Sequence, residues 1–197
     1  VIYYYYIVRT QKLRNMKTEK PPHTKSPSPE WRPSGGLRGT LPGPGDGLLS
    51  VITQNICISD FQGAKEVKEL NEKGITAIFC LNSNISASQE ELKGAGAAVE
   101  TVVHKPLRDG AHFYEDLKEA VGILSELCSN HSHVLVHCYV GQSRSPAVVA
   151  AYLGQKEGIT ADKAFDLISS KRQIYLTRSM MTDIARCIHE LSPLPPE

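Results

Sequence analysis

A cysteine at position 138 and an arginine at position 144 are separated by Tyr139, Val140, Gly141, Gln142 and Ser143, and Ser145 follows. Residues of these types at this spacing can hold an oxyanion and attack it. Sulfur attacks only as the thiolate, and a free cysteine has a pKa near ~8.5. The surrounding sequence supplies three means of lowering that value. His133-Val134-Leu135-Val136 reads as a strand, and Ala147 to Leu153, after Pro146, reads as a helix. The loop therefore runs into a helix N-terminus, whose positive dipole end faces the sulfur. The guanidinium of Arg144 sits across the loop. The Ser145 hydroxyl can donate to the sulfur, stabilising it before attack and again as a leaving group.

The same stretch makes an anion cradle. Successive backbone N–H groups of Tyr139, Val140, Gly141, Gln142, Ser143 and Arg144 can converge on one oxyanion, as at other phosphate-binding helix N-termini. Gly141 allows close approach and a positive φ. Arg144 adds a planar fork that grips two phosphate oxygens, which lysine could not do. His137 reads as orienting the loop by hydrogen bonds to its backbone rather than as a base, although an isolated histidine here would read as a satisfied core residue.

Phosphoryl transfer to sulfur needs a proton for the departing oxygen. Asp109 is the candidate, on spacing. A strand over 99–103 leads up to it, a helix over 113–128 leads back, and the strand 133–137 leads up again to Cys138. In a right-handed βαβ unit both loops finish at the C-terminal edge of the sheet, where ligands bind. Asp109 would protonate the leaving oxygen and then deprotonate the water that hydrolyses a phosphocysteine. A plain turn residue before Gly110 is the alternative. Glu115 and Asp116 are weaker candidates because they fall on the helix.

The elements that must position these groups follow from patterning. Short strands are expected at 51–53, 55–58, 75–81, 99–103 and 133–137. Helices are expected over 64–73, from Ser88, over 113–128, after Pro146, from Thr160 and over 180–191. Alternating strands and helices predict an α/β domain over 48–192. It is a three-layer α-β-α arrangement with a central, mainly parallel sheet of about five strands flanked by helices. Residues 1–47 are rich in proline and glycine and poor in aliphatics, which predicts a disordered tail. Within it Ser26-Pro27-Ser28-Pro29 could be a kinase target or a polyproline ligand. Residues 193–197 read as a second short tail.

Composition bounds the partners. With 22 Lys+Arg, 21 Asp+Glu and a net charge of +1, no global field invites nucleic acid or a membrane surface, so anion binding must be local. The opening Val1 to Val8 is far shorter than the ~20 residues needed to span a bilayer and lacks the flanks of a signal peptide. Cysteines 57, 80, 128, 138 and 187 form neither a disulfide framework nor a zinc pattern. These readings predict an intracellular, cytoplasmic protein without metal or cofactor, monomeric by default, that does not insert into membranes.

His137-Cys138-x-x-Gly141-x-Ser143-Arg144-Ser145 followed by an apolar helix closely resembles the signature loop of dual-specificity protein phosphatases, within the cysteine-based tyrosine phosphatase superfamily. Asn55 to Ser59 and Gly74 to Ile78 resemble the family's opening strands and first helix. Pro106-Leu107-Arg108-Asp109 resembles its general-acid loop, and Arg172 matches a basic residue of its C-terminal region. The resemblance covers about 48–190 and implies a tyrosine-phosphatase-like fold. It also implies a shallow site hydrolysing phosphotyrosine and phosphoserine/phosphothreonine in proteins. Residues 172–177 lack the Pro-Asn that many members carry there. Members acting on inositol lipids often carry lysines in the loop, whereas Tyr139, Val140 and Gln142 are neutral.

Three alternatives stand beside this reading. One is a catalytically weak phosphate-binding module, one a phosphatase for a non-protein phosphate (a phosphoinositide or an RNA 5′ phosphate), and one a sulfurtransferase. Cys80, expected beside the 133–137 strand at the same edge, is a possible redox partner that would form a reversible disulfide with Cys138. An inert buried cysteine is the plainer alternative. Lys171, Arg172 and Arg178 could steer anions, with a solvated face as their default.

Overall fold

The computed structural model describes residues 48–108, 110 and 112–191. The expected tails at 1–47 and 193–197, and Asp109 itself, lie outside the described residues. Five strands form one sheet in the order β1-β2-β5-β3-β4. They are β1 (Ser50–Val51), β2 (Ile56–Ser59), β3 (Ala77–Cys80), β4 (Thr101–His104) and β5 (Val134–His137). Only β1 runs antiparallel to its neighbour; β2, β5, β3 and β4 are mutually parallel. Every residue of β2, β3 and β5 is buried, as continuous apolar runs between two layers require. The β4 edge is only partly covered.

The layers are unequal. One face carries the larger core, in which Phe79, Leu81, Val134 and Val136 meet α3 (Phe113–Asn130), α4 (Arg144–Glu157), α5 (Ala161–Ser169) and α6 (Arg178–Leu191). The opposite face, with Ile78 and Leu135, is covered by a 3-10 turn (Gly63–Lys65), α1 (Val67–Glu72) and α2 (Gln89–Gly94). α4 is buried around nearly its whole first three turns, from Ser145 to Gly154. A methyl group on Gly154 would collide with Ile188, so glycine lets α4 and α6 lie flush. Among the described residues no helix is long and apolar enough to cross a membrane.

The helix expected over 64–73 is divided in two. Asp60 Oδ1 accepts from the N–H groups of Gln62 and Gly63, both at 2.9 Å, which fixes a tight turn. Glu66 then takes φ −76°, ψ 82°, outside the helical basin, and the α-helix restarts at Val67. α2 begins on a reciprocal capping box between Ser88 and Glu91.

Candidate active site

Cys138 follows β5 directly, and Arg144 opens α4. The loop between them is braced from behind through its carbonyl groups. Tyr139 O accepts from Phe61 N–H at 3.2 Å, Gln142 O from Tyr175 N–H at 2.7 Å, and Ser143 O from Ala147 N–H at 3.0 Å. Gly141 O accepts from Arg172 Nε at 2.8 Å and Val140 O from Arg172 Nη2 at 3.4 Å. Cys138 O lies 3.4 Å from His137 Nδ1. None of these peptides is cis. In a trans peptide N–H and C=O point in opposite directions. Carbonyls held outward therefore turn the N–H groups of 139–144 toward the loop's other side, where they act together on an anion. Six successive carbonyls are thus engaged, which restrains the loop along its whole length.

The sulfur lies among these donors. Cys138 is 2% exposed, and its Sγ accepts from Gly141 N–H at 3.2 Å and from Ser145 Oγ at 3.3 Å. Both donors point at the atom that must carry negative charge when it leaves phosphorus. Ser145 is fully buried, so its hydroxyl has few other directions to take. Gly141 has φ +73°, and a Cβ there would come within 2.5 Å of both Ser59 O and Arg172 Nη2. Backbone conformation and crowding both demand glycine.

Arg144 Nη1 donates to Leu81 O at 3.4 Å. The same carbonyl accepts from Leu107 N–H at 3.2 Å, and Cys80 O accepts from Lys105 N–H at 3.0 Å. The segment leading to position 109 is thus tied to the residue that contacts Arg144. Asp116 accepts from Arg108 three times: from N at 3.1 Å, Nε at 2.8 Å and Nη2 at 2.8 Å. The Arg108 bond is the main reason its carboxyl is held down at about 2, against the opposing effect of burial. An ionised, fully engaged carboxylate has no proton to give, so Asp116 does not fit the acid's role, and Glu115 lies exposed in the first turn of α3.

His137 is 1% exposed, and burial pushes its imidazole down to about 4. It is neutral near pH 7, with its ring against the loop backbone. Its folded pKa lies below the ordinary 6.5, so the unfolded chain takes up the proton first. Stability contributed by neutral His137 is therefore complete above about pH 6.5 and lost as pH falls toward 4. Urea midpoints should drop across that window by an equivalent of roughly 3 kcal/mol, and His137→Gln should flatten the profile. A profile unchanged by the substitution would contradict this assignment.

Two expectations are corrected. Arg172 is not on a solvated face. It is 5% exposed, and beyond its two loop bonds it donates to Leu48 O at 3.2 Å and Ser50 Oγ at 3.1 Å. A buried guanidinium is tolerated because its donors are satisfied. Cys80 does not meet Cys138. The register pairs Cys80 with His137, so Cys138 has the opposite parity and leaves the sheet on the large-core face. Cys80 shares the parity of Ile78 on the other face and donates to Asn84 O at 3.7 Å. Phe61 and Tyr175 were not foreseen at all, because they brace the loop with main-chain N–H groups that any residue but proline possesses. Arg172 had one signal, its match to a family position.

A family model described as dual specificity phosphatase, catalytic domain, matches residues 58–186. The chain is 28% identical over 129 residues to Dual specificity protein phosphatase 1 of Arabidopsis thaliana, covering 66% of this chain and 63% of that protein. The chain thus spans less than two thirds of that relative's length. In fold it is similar to a mouse putative dual specificity phosphatase solved with zinc tungstate, with TM-score 0.63 and 21% identity over 80% of this chain and 94% of that one. It is also similar to PTPMT1 solved in complex with PI(5)P, with TM-score 0.58 and 20% identity over 71% and 94% of the two chains. The catalytic-domain match runs from β2 to α6 and takes in the braced loop, and on it the chain belongs to the dual-specificity phosphatase family.

Proposed function

We propose that this protein is a cysteine-dependent phosphatase that hydrolyses phosphate monoesters on protein side chains through a phosphocysteine. The observation that carries the reading is the setting of Cys138 Sγ, which receives two hydrogen bonds at the base of a loop whose carbonyls are all held outward. The thiolate attacks phosphorus in line, forming the S–P bond as the P–O bond to the substrate breaks. Arg144 and the loop N–H groups hold the equatorial oxygens, and their grip matters most as charge spreads in the transition state. Asp109 gives its proton to the leaving oxygen. Its carboxylate then takes a proton from water, which attacks phosphorus and expels the sulfur as thiolate, with Ser145 donating to it. Inorganic phosphate leaves, and Cys138 and Asp109 return to their starting states.

The assignment of Asp109 rests on its spacing from Cys138 and on the tether between residues 105–107 and β3. It is tested by leaving-group dependence. Asp109→Asn should lower kcat by roughly 10²- to 10⁴-fold for alkyl or phenyl esters, whose oxygens need a proton. For p-nitrophenyl phosphate, whose leaving group departs unprotonated, the loss should be much smaller. Equal losses for both substrates would transfer the role to another group.

A fold neighbour solved with PI(5)P makes a lipid phosphate the second reading. The loop side chains argue for protein: Tyr139 and Val140 are exposed and uncharged, and Gln142 is neutral. A polyphosphorylated headgroup would find no loop cation beyond Arg144. Parallel assays on phosphopeptides and phosphoinositide vesicles separate the two, the first reading requiring the higher kcat/KM on peptides.

A further inference from the structure

Phe61 and Tyr139 lie face to face, with ring centroids 4.9 Å apart and planes 5° from parallel. Tyr139 follows the nucleophile directly and is 59% exposed; Val140 beside it is 36% exposed. The pair is held at two further points. Phe61 N–H donates to Tyr139 O at 3.2 Å, and Lys65 Nζ stands 5.8 Å from the centre of the Phe61 ring. Two of the side chains nearest the sulfur in sequence are therefore exposed and largely apolar, and one is stiffened by a stacked partner from the turn that follows the neighbouring strand β2. The hydrogen bond that braces the loop here is made by the Phe61 backbone, so a substitution of its side chain keeps that bond. Exposed apolar surface beside a reactive group marks a place where part of a ligand rests.

We propose that the Phe61–Tyr139 stack is a specificity wall that favours phosphate carried on an aromatic ring, the phosphotyrosine side chain, over phosphate on an aliphatic hydroxyl. The proposal deepens the function given above and rests on it only in taking the phosphate to sit in the loop. On this proposal a substrate whose phosphate is held by the N–H groups of 139–144 leaves the site past the exposed Tyr139 ring. A phenyl ring on the ester oxygen can stack on Tyr139, an interaction worth about two- to tenfold in affinity. Phosphoserine and phosphothreonine present no π face and less apolar area. Phe61 adds to the effect by holding the Tyr139 ring in place before substrate arrives, so less rotamer freedom is lost on binding.

The test is calorimetric binding of phenylphosphonate and methylphosphonate to the full chain, as wild type, Phe61→Ala and Phe61→Leu. Both variants keep the Phe61 N–H that braces the loop, and Phe61→Leu keeps bulk without a π face. Wild type should bind phenylphosphonate about tenfold more tightly than methylphosphonate. In both variants that ratio should shrink to about threefold or less, with methylphosphonate affinity unchanged. Equal binding of the two ligands by wild type would overturn the proposal. So would a matching loss for both ligands in the variants, because Phe61 would then merely support the loop. Turnover of matched phosphotyrosine and phosphothreonine peptides is read beside it. Failure to hydrolyse either peptide overturns the proposed function, while the phosphonate ratio still decides the wall.

Discussion

Cys138→Ser is expected to lower the hydrolysis rate by at least about a thousandfold while leaving phosphopeptide binding within a few-fold of wild type. The nucleophile alone changes. A serine hydroxyl at this position would have to attack as an alkoxide, and a hydroxyl gives up its proton far less readily than a thiol. The anion site should survive, because the N–H groups are oriented by carbonyl bonds to Phe61, Arg172, Tyr175 and Ala147, none of which involves the sulfur. Steady-state kinetics on an aryl phosphate, with peptide binding by fluorescence anisotropy, separate the two quantities. A variant that retained activity, or one that lost both rate and binding, would mean that Cys138 is not simply the attacking group.

Arg172→Met should cost about 3 kcal/mol in stability and roughly a hundredfold in kcat/KM, through the loop carbonyls that the residue holds. Methionine fills the space but leaves Gly141 O, Val140 O, Leu48 O and the Ser50 hydroxyl without these donors, in a region that is largely buried. A buried acceptor stripped of its partner costs on the order of 1–3 kcal/mol, and some of these groups will find water. The activity loss follows from geometry: once Gly141 O and Val140 O are free, the N–H groups of Gln142 and Gly141 are no longer aimed. Denaturant unfolding and kinetics measure the two effects. A stable Arg172→Met protein with unimpaired kcat/KM would show that the loop holds its shape without support from behind.

The contrast between these two residues shows what the amino-acid order makes visible. Cys138, Gly141, Arg144 and Ser145 fall within one short window, and their chemistry depends on types and spacing that can be read in one pass. The strands β2, β3 and β5 announce themselves as apolar runs, and the succession β4, α3, β5 that leads to Cys138 is legible as a βαβ unit without any tertiary information. The bracing is different in kind. Phe61 and Arg172 come from far along the chain on either side, and two of the main contributions are backbone N–H groups with no side-chain signature. Arg172 looks like any surface cation until its acceptors on the loop and around β1 are seen. The Cys80–Cys138 expectation failed for a reason that strand parity contains. Adjacent parallel strands in the observed register put residues 80 and 137 side by side, and the next residue then points the other way. The 64–73 helix was divided by the Asp60 side chain capturing two N–H groups, a local competition that helical periodicity does not report.

The measurement that bears most directly on the mechanism is rapid-quench trapping of the covalent intermediate in Asp109→Asn, followed by peptide mass spectrometry. Loss of the base that activates water should slow hydrolysis of the phosphoenzyme. With p-nitrophenyl phosphate, which needs no acid to form it, phosphate should accumulate on the peptide containing Cys138 and be absent when Cys138→Ser is added. Phosphate on any other residue, or turnover with no phosphorylated Cys138 peptide at any quench time, would contradict nucleophilic attack by this sulfur.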